Sequence, residues 1–415
     1  MAQIIPFRGI LYNPSRVSGE LVTAPPYDII TPSYKQDLYN KSECNIVRID
    51  FGMELTGDNT TNNKYTRAKE DFDKWMSNGI LIRDEAPFFY SYEIDYSVSN
   101  RNFTLRGLIA LVKIEELGRG IYPHEATHSK PKADRLNLMR ACHANISPIY
   151  ALYNSSQRIT SGILESTSYD PWMISKDADG AVHKIFKIQD TNLHEQIIKE
   201  FNDKSIYIAD GHHRYEVALE FKKEMEEVAL NDLNTNFSYD YVMMFLANIQ
   251  DEGITVLPTH RLIKGLSGSR DIIKRVENYF EINKAPLNID ITDILSLEPK
   301  NAIGLYMNND KTWYILKYKG GKLGDLHPAL GSLDVVVLHE LIFKRILDIN
   351  DFAYEMNAKE AERMVRAGEF DAAFFLKPTR LEDVEQVALA NKRMPPKSTY
   401  FYPKLLTGMV INSFR

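Results

Sequence analysis

Cysteine is almost missing from this chain: Cys44 and Cys142 are the only two in 415 residues. Two thiols cannot build a disulfide framework, so a reducing compartment is expected. Positive charge is not in excess either. The formal net charge is −6, which argues against a general nucleic-acid binder, because such a protein needs a basic face. Long apolar runs are absent as well. The longest, Tyr241 to Ala247, is far too short to span a bilayer. Pro6, Arg8, Pro14 and Arg16 interrupt any signal-peptide pattern at the amino terminus. The expectation is a cytoplasmic protein with no membrane partner. The chain also has no Walker A sequence and no G-x-G-x-x-G, so any nucleotide site is of neither the P-loop nor the dinucleotide type. It shows no internal repeat, low-complexity tract or heptad pattern.

What remains is ordinary material for a large soluble enzyme. Hydrophobic residues make up 44% and charged residues 26% of the chain, and the length predicts two domains, or one large core plus insertions. Hydrophobic spacing predicts a helix from about Lys64 to Asn78, capped by Gly79. It also predicts an antiparallel pair, Phe88 to Tyr96 and Phe103 to Ile114, turning at Asn100-Arg101-Asn102. A polar loop is expected from Tyr122 to Arg135, then a short helix from Leu136 to His143. Ser205 to Ile208 is strand-like, and a buried strand is expected at Tyr241 to Ile249. Beyond about residue 265 the pattern changes to alternating helices and strands: Asp271 to Phe280 and Val335 to Leu347 as helices, Ala302 to Met307 and Thr312 to Lys317 as strands.

The densest chemistry lies in Ala209-Asp210-Gly211-His212-His213-Arg214-Tyr215. A strand-like run precedes it. An amphipathic helix follows, with Tyr215, Ala218, Phe221, Met225 and Val228 on one face. A glycine turn at a helix start suits an oxyanion, because free N–H groups and the helix dipole both favour negative charge there. Arg214 adds a bidentate fork. The plainer alternative is a helix start with Asp210 as N-cap. A second constellation, Tyr122 to Arg135, contains a literal H-E-x-x-H at His124 to His128. Its prolines and mixed polarity deny the motif the helix that zinc hydrolysis requires. Read as a site rim, Glu125 or His128 would move a proton while Lys130, Lys132 and Arg135 neutralise phosphate charge. A solvated polar loop is the bland alternative. A third block, Met394 to Lys404, sets proline-fixed backbone beside Lys397, Ser398, Thr399 and three aromatics. It would line a pocket or anchor the carboxy-terminal segment. Thr259-His260-Arg261 and the pair His339-Glu340 are smaller features, the latter expected on the surface.

Taken in order, Phe7 to Gly9, Ala24 to Asp28, Thr127 to Ser129, Pro131 to Arg135, Ser147 to Ile149, Ile208 to Tyr215, Pro258 to Arg261, Leu333 to Leu338 and Met394 to Leu405 resemble the family known as domain of unknown function 1015. The turn at 210–214 also resembles the signature turn of the ParB/sulfiredoxin superfamily, whose members bind nucleotide phosphates there. Free serine kinase carries a similar Asp-Gly-His-x-Arg turn.

The resemblance implies an α+β fold. Residues 1–50 and 200–265 would form a ParB/sulfiredoxin-like nucleotide-binding core, with a large mixed insertion over 51–199 and an α/β carboxy-terminal domain over 266–415. It implies a nucleotide-dependent phosphotransferase acting on a small hydroxyl metabolite, serine or phosphoserine foremost, with ATP or ADP and Mg²⁺ as cofactors. Asp210, His212, His213, Glu125 and His128 would be catalytic. Gly211, Arg214, Lys130, Lys132 and Arg135 would bind phosphate. Tyr27, Asp28, His260, Arg261, Lys397, Ser398 and Thr399 would line the substrate pocket. A homodimer is compatible with this reading. Two alternatives stay open: a non-catalytic nucleotide-binding regulator or ParB-like adaptor, and a zinc hydrolase through His124 and His128.

Overall fold

A computed structural model describes residues 2–126, 129–166, 170–229, 239–265, 270–286 and 290–415. The chain is mixed α/β and divides into two compact units. One comprises Met1–Pro123, Thr127–Thr255 and Pro403–Arg415; the other comprises His124–Ala126 and Val256–Tyr402. Among the described residues no helix is long and apolar enough to cross a membrane.

The first unit is built on a nine-stranded mixed sheet. Strand Ile206–Asp210 runs parallel to Ile121–Pro123 and antiparallel to Ile149–Tyr153. Ile149–Tyr153 runs parallel to Tyr241–Asn248, which in turn pairs antiparallel with Arg101–Lys113. Strands Ile149–Tyr153 and Tyr241–Asn248 are buried almost throughout, as expected of parallel neighbours covered on both faces. The long hairpin Phe89–Val98/Arg101–Lys113 turns at Ser99 and Asn100, both at positive φ. That is the two-residue turn whose twist matches the strands, one position earlier than the sequence suggests.

Helix Lys64–Ser77 starts in a capping box formed by Asn63 and Thr66, and Gly79 follows it at φ +66. This agrees with the spacing and cap residues. Helix Ser129–Cys142 corrects the expected polar loop over 122–135 and the expected start at Leu136. Proline is tolerated in a first helical turn, where its missing N–H costs no bond, so Pro131 did not forbid the helix. It packs between Lys64–Ser77 and His212–Ala229. On the latter helix Tyr215, Ala218, Phe221 and Met225 are buried as expected, whereas Val228 is 47% exposed.

The second unit holds a six-stranded antiparallel sheet in the order Phe280–Ala285, Thr312–Tyr318, Ala302–Met307, Ala372–Phe375, His260–Ile263, Ala353–Glu355. The expected helix Asp271 to Phe280 is shorter: Arg270–Val276 is helical, and Phe280 opens a strand whose ring packs on Tyr318. Strand pairing overrides helical spacing there. The expected helix over 335–347 is present as Asp334–Val336 followed by wider π-type turns over Val337–Leu347.

Candidate functional site

Strand Ile206–Asp210 ends at Asp210, Gly211 turns at φ +93, and helix His212–Ala229 begins at once. Glycine is required twice over. The backbone is left-handed, and a Cβ at Gly211 would lie 2.8 Å from Arg214 Nε, inside any real contact distance. The Arg214 side chain thus folds back onto the turn. Its guanidinium donates to Asp210 Oδ2 at 2.8 Å and to Ser147 Oγ at 3.2 Å, and also to the Pro148 carbonyl. The other oxygen of Asp210 accepts from Lys404 Nζ at 2.8 Å. Asp210 is therefore a strand-end carboxylate held by two cations. That corrects the helix-cap alternative, because the cap position belongs to Gly211. His212 is buried and His213 half-buried.

Beside this turn lies a second charged group. Arg135, 7% exposed, donates to Asp50 Oδ1 at 2.9 Å and to Asp134 Oδ2 at 2.6 and 2.9 Å, and stacks 4.1 Å from the Tyr27 ring centroid. Lys64 joins through Asp134 at 2.7 Å and Glu54 at 2.9 Å. Burial raises the Asp50 carboxyl, with Arg135 and Arg214 opposing it. Asp134 is held down to about 2, because Arg135 and Lys64 together outweigh its burial. Burial pushes the Tyr27 phenol up to about 12. Lys132 pairs with Glu216 at 3.0 Å. Arg135 and Arg214 line one cavity of about 40 Å³ with Asp50, Asn145 and Ser147. That is room for a few waters or a head group, not for a nucleoside.

The second unit gathers the remaining predicted residues. Glu125 Oε1 accepts from Ser398 N at 3.1 Å, Thr399 N at 3.2 Å and Thr399 Oγ1 at 3.0 Å. Thr399 spends its one proton on Glu125, so the 3.0 Å contact with His124 Nε2 must be donated by the imidazole. His124 and Glu125 follow strand Ile121–Pro123 and precede helix Ser129–Cys142. The two residues therefore do not sit on a helix as a zinc H-E-x-x-H requires. Among the described residues no group of three or more metal-ligating side chains forms. We expect Glu125→Gln to cost about 1–2 kcal/mol, because a charge-assisted clamp on two N–H groups becomes a neutral one; urea unfolding measures it.

Arg261 is wholly buried. It donates to His339 Nε2 at 3.0 Å, to Lys397 O at 2.9 Å and to the Thr259 carbonyl. Lys397 sits at φ +56, so this arginine holds a strained turn in place. Burial holds Arg261 down to about 10, and both His260 and His339 down to about 3, with the Arg261 charge adding to the burial of each histidine. His339 is thus a half-buried partner of Arg261, not a surface residue paired with Glu340, which bonds Lys344 instead.

The structure thus brings Asp210, Gly211, His212, His213, Arg214, Lys132, Arg135, Tyr27 and Asp28 into the first unit. It brings Glu125, His260, Arg261, Lys397, Ser398 and Thr399 into the second. His128 and the side chain of Lys130 lie outside the described residues. Sequence reasoning missed Asp50, Asp134, Asn145, Ser147 and Lys404 around the turn. Lys404 closes the Met394 to Lys404 block and could have been taken from it. Asp50 stands in a short helix with no local signal.

Comparison with curated proteins gives no match. Among solved structures, a conserved hypothetical protein from Pyrococcus furiosus is 13% identical, with a TM-score of 0.38; the match covers 74% of this chain and 95% of that one. A free serine kinase in complex with AMP is 12% identical, with a TM-score of 0.38, over 71% and 86%. SbnI with a carboxy-terminal truncation, from Staphylococcus aureus, is 12% identical, with a TM-score of 0.37, over 72% and 85%. Likenesses of this degree carry no functional argument. The sequence itself does align with a family model, over residues 4–336 and through the Asp210 turn. The chain therefore belongs to the family described as Protein of unknown function (DUF1015).

Proposed function

We propose that the protein is a nucleotide-dependent phosphotransferase acting on a small hydroxyl metabolite, serine or phosphoserine foremost, with ATP or ADP as donor. It would do so on a ParB/sulfiredoxin-like core. The observation that carries this is the Gly211 turn: strand, left-handed glycine, helix, with Arg214 folded onto the turn and Lys404 beside it. A helix N-terminus with two fixed cations favours a polyanion over any neutral ligand.

In this reading the N–H groups of the first turn from Gly211 to Arg214 hold phosphate oxygens. Asp210 fixes Arg214 and Lys404 so that both charges are in place before the ligand arrives, which spares reorganisation at the moment of reaction. His213, the more exposed imidazole, takes the proton of the acceptor hydroxyl. The bound nucleotide supplies the phosphoryl group, and catalysis is then mostly positioning and charge neutralisation. Mg²⁺ is usual in such chemistry. Both oxygens of Asp210 are engaged by cations, so the described residues present no ready magnesium site at the turn. No step is assigned to the ion.

The test is turnover of ATP, ADP and pyrophosphate with hydroxy amino acids, followed by phosphorus NMR, together with nucleotide affinity. Arg214→Ala should weaken nucleotide binding at least tenfold, or about 1.4 kcal/mol. No turnover with any donor, joined to unchanged affinity in this variant, would sink the proposal.

A further inference from the structure

The cavity beside the turn is lined by polar groups with unused bonding capacity. Asn145 is 6% exposed. Its Oδ1 accepts from Met243 N and Asn412 Nδ2, both at 3.1 Å, but its own amide N–H groups donate to nothing among the described residues. Ser147 Oγ accepts from Arg214, and its proton has no acceptor among the described residues. Asp50, 4% exposed, uses Oδ1 on Arg135, while Oδ2 accepts from no described group. Asn145 and Asp50 are more than nine-tenths buried, yet their remaining bonding capacity, with that of Ser147, faces one small space, and this points to a ligand. That ligand must bring both an acceptor and a donor.

The charges narrow it further. Arg135 and Lys64 are matched by Asp50, Asp134 and Glu54, and Arg214 and Lys404 by Asp210, so that these ion pairs together carry as many carboxylates as cations. A ligand with net charge would leave a buried charge uncompensated, at a cost of several kcal/mol. A ligand of no net charge would not. The walls formed by Leu138, Ile149, Val217 and Val242 leave room for little beyond a head group.

We propose that this cavity binds the head group of a small zwitterion of the α-amino-acid class, its carboxylate on Asn145 and Ser147 and its ammonium on Asp50. As the acceptor's subsite it rests on the phosphotransfer reading above; as a zwitterion site it does not. Asn145, Ser147 and Asp50 are then its specificity determinants.

Glycine separates the two claims, because it carries the head group and has no hydroxyl to phosphorylate. Calorimetry on the full chain, with and without a non-hydrolysable ATP analogue, should show glycine and L-serine binding with similar affinity. Glycolate, which lacks the ammonium, and ethanolamine, which lacks the carboxylate, should bind at least tenfold more weakly. Asn145→Asp keeps the acceptor oxygen and reverses the donor, and should weaken glycine at least tenfold, as should Asp50→Asn. Val217→Met fills the space without touching a charge and should abolish binding. The proposal is overturned if glycine does not bind, if glycolate binds as well as glycine, or if Val217→Met leaves binding unchanged. Where a variant fails to fold, the comparison of glycine, glycolate and ethanolamine on the unaltered protein still decides. Glycine binding without any turnover leaves this inference standing and removes the phosphotransfer reading. Turnover without glycine binding does the reverse.

Discussion

Between pH 7.5 and 5 the protein should lose about 2 kcal/mol of stability through His260 alone, with the slope approaching about 1.4 kcal/mol per pH unit below pH 6. The His260 ring is wholly buried, and burial, reinforced by the Arg261 charge, holds its pKa down to about 3. Its Nδ1 accepts from Leu376 N at 3.3 Å, and its Nε2 has no hydrogen-bond partner among the described residues. A second proton would break the first contact and place a cation among Phe375 and its neighbours.

The folded state therefore binds the proton less readily than the unfolded chain. This contribution is fully present above the ordinary histidine value near 6.5. It is lost as pH falls from there toward about 3. His339, whose Nε2 accepts from Arg261, shifts in the same direction and steepens the loss. Urea unfolding at a series of pH values measures the slope. His260→Asn keeps an acceptor for Leu376 and removes the titration, so its profile should be flatter by about 1 kcal/mol or more over this range. An identical slope in the variant would show that other groups dominate acid sensitivity.

Replacing Gly211 with alanine should damage the turn more than any other single methyl group there. The left-handed conformation at φ +93 costs a non-glycine residue about 1–3 kcal/mol. The new Cβ would also occupy the place of the Arg214 guanidinium. That group cannot simply swing aside, because Asp210, Ser147 and Pro148 hold it. Loss of the Arg214–Asp210 contact unsettles the cation arrangement around the first helical turn. The expected result is destabilisation of about 2–4 kcal/mol and nucleotide affinity reduced at least tenfold. Measuring both separates the effects: stability lost with affinity intact would mean that the turn is structural only. Gly265, also at positive φ but with no atom of the described residues within 4 Å of its Cβ position, is the control. Its alanine variant should carry the conformational cost without any change at the turn.

The elements read best from sequence are those whose signal is local. Asn63, Thr66 and Gly79 bracket the helix Lys64–Ser77, and the strand pairs around Ser99-Asn100 and over Ala302–Met307/Thr312–Tyr318 carry their own turns. Pro131 misled because proline blocks a helix interior but not a first turn. Over 271–280 helical spacing misled because Phe280 gains a strand partner in Thr312–Tyr318 that no local window contains. The same division holds at the site. The Asp210 to Arg214 turn is legible because glycine, acid and arginine fall within five positions. Asp50 and Asn145 are not, because each is ordinary in its own neighbourhood; Ser147 stands in a block that carries the family resemblance, but its place beside Arg214 is set only across the fold.

A large mixed α/β chain with few cysteines, no P-loop sequence and one glycine turn between a strand and a helix could be read from the amino-acid order alone. Those properties follow from composition and from residues close along the backbone. Tertiary structure alone decided which charges surround that turn. It paired Asp210 with Lys404 from the far end of the chain, set Arg135 between Asp50 and Asp134, and buried Arg261 against His339. Such pairings depend on strand order and helix packing, which bring together positions that share no local pattern. They fix which buried charges are compensated and which polar atoms still have bonds to make.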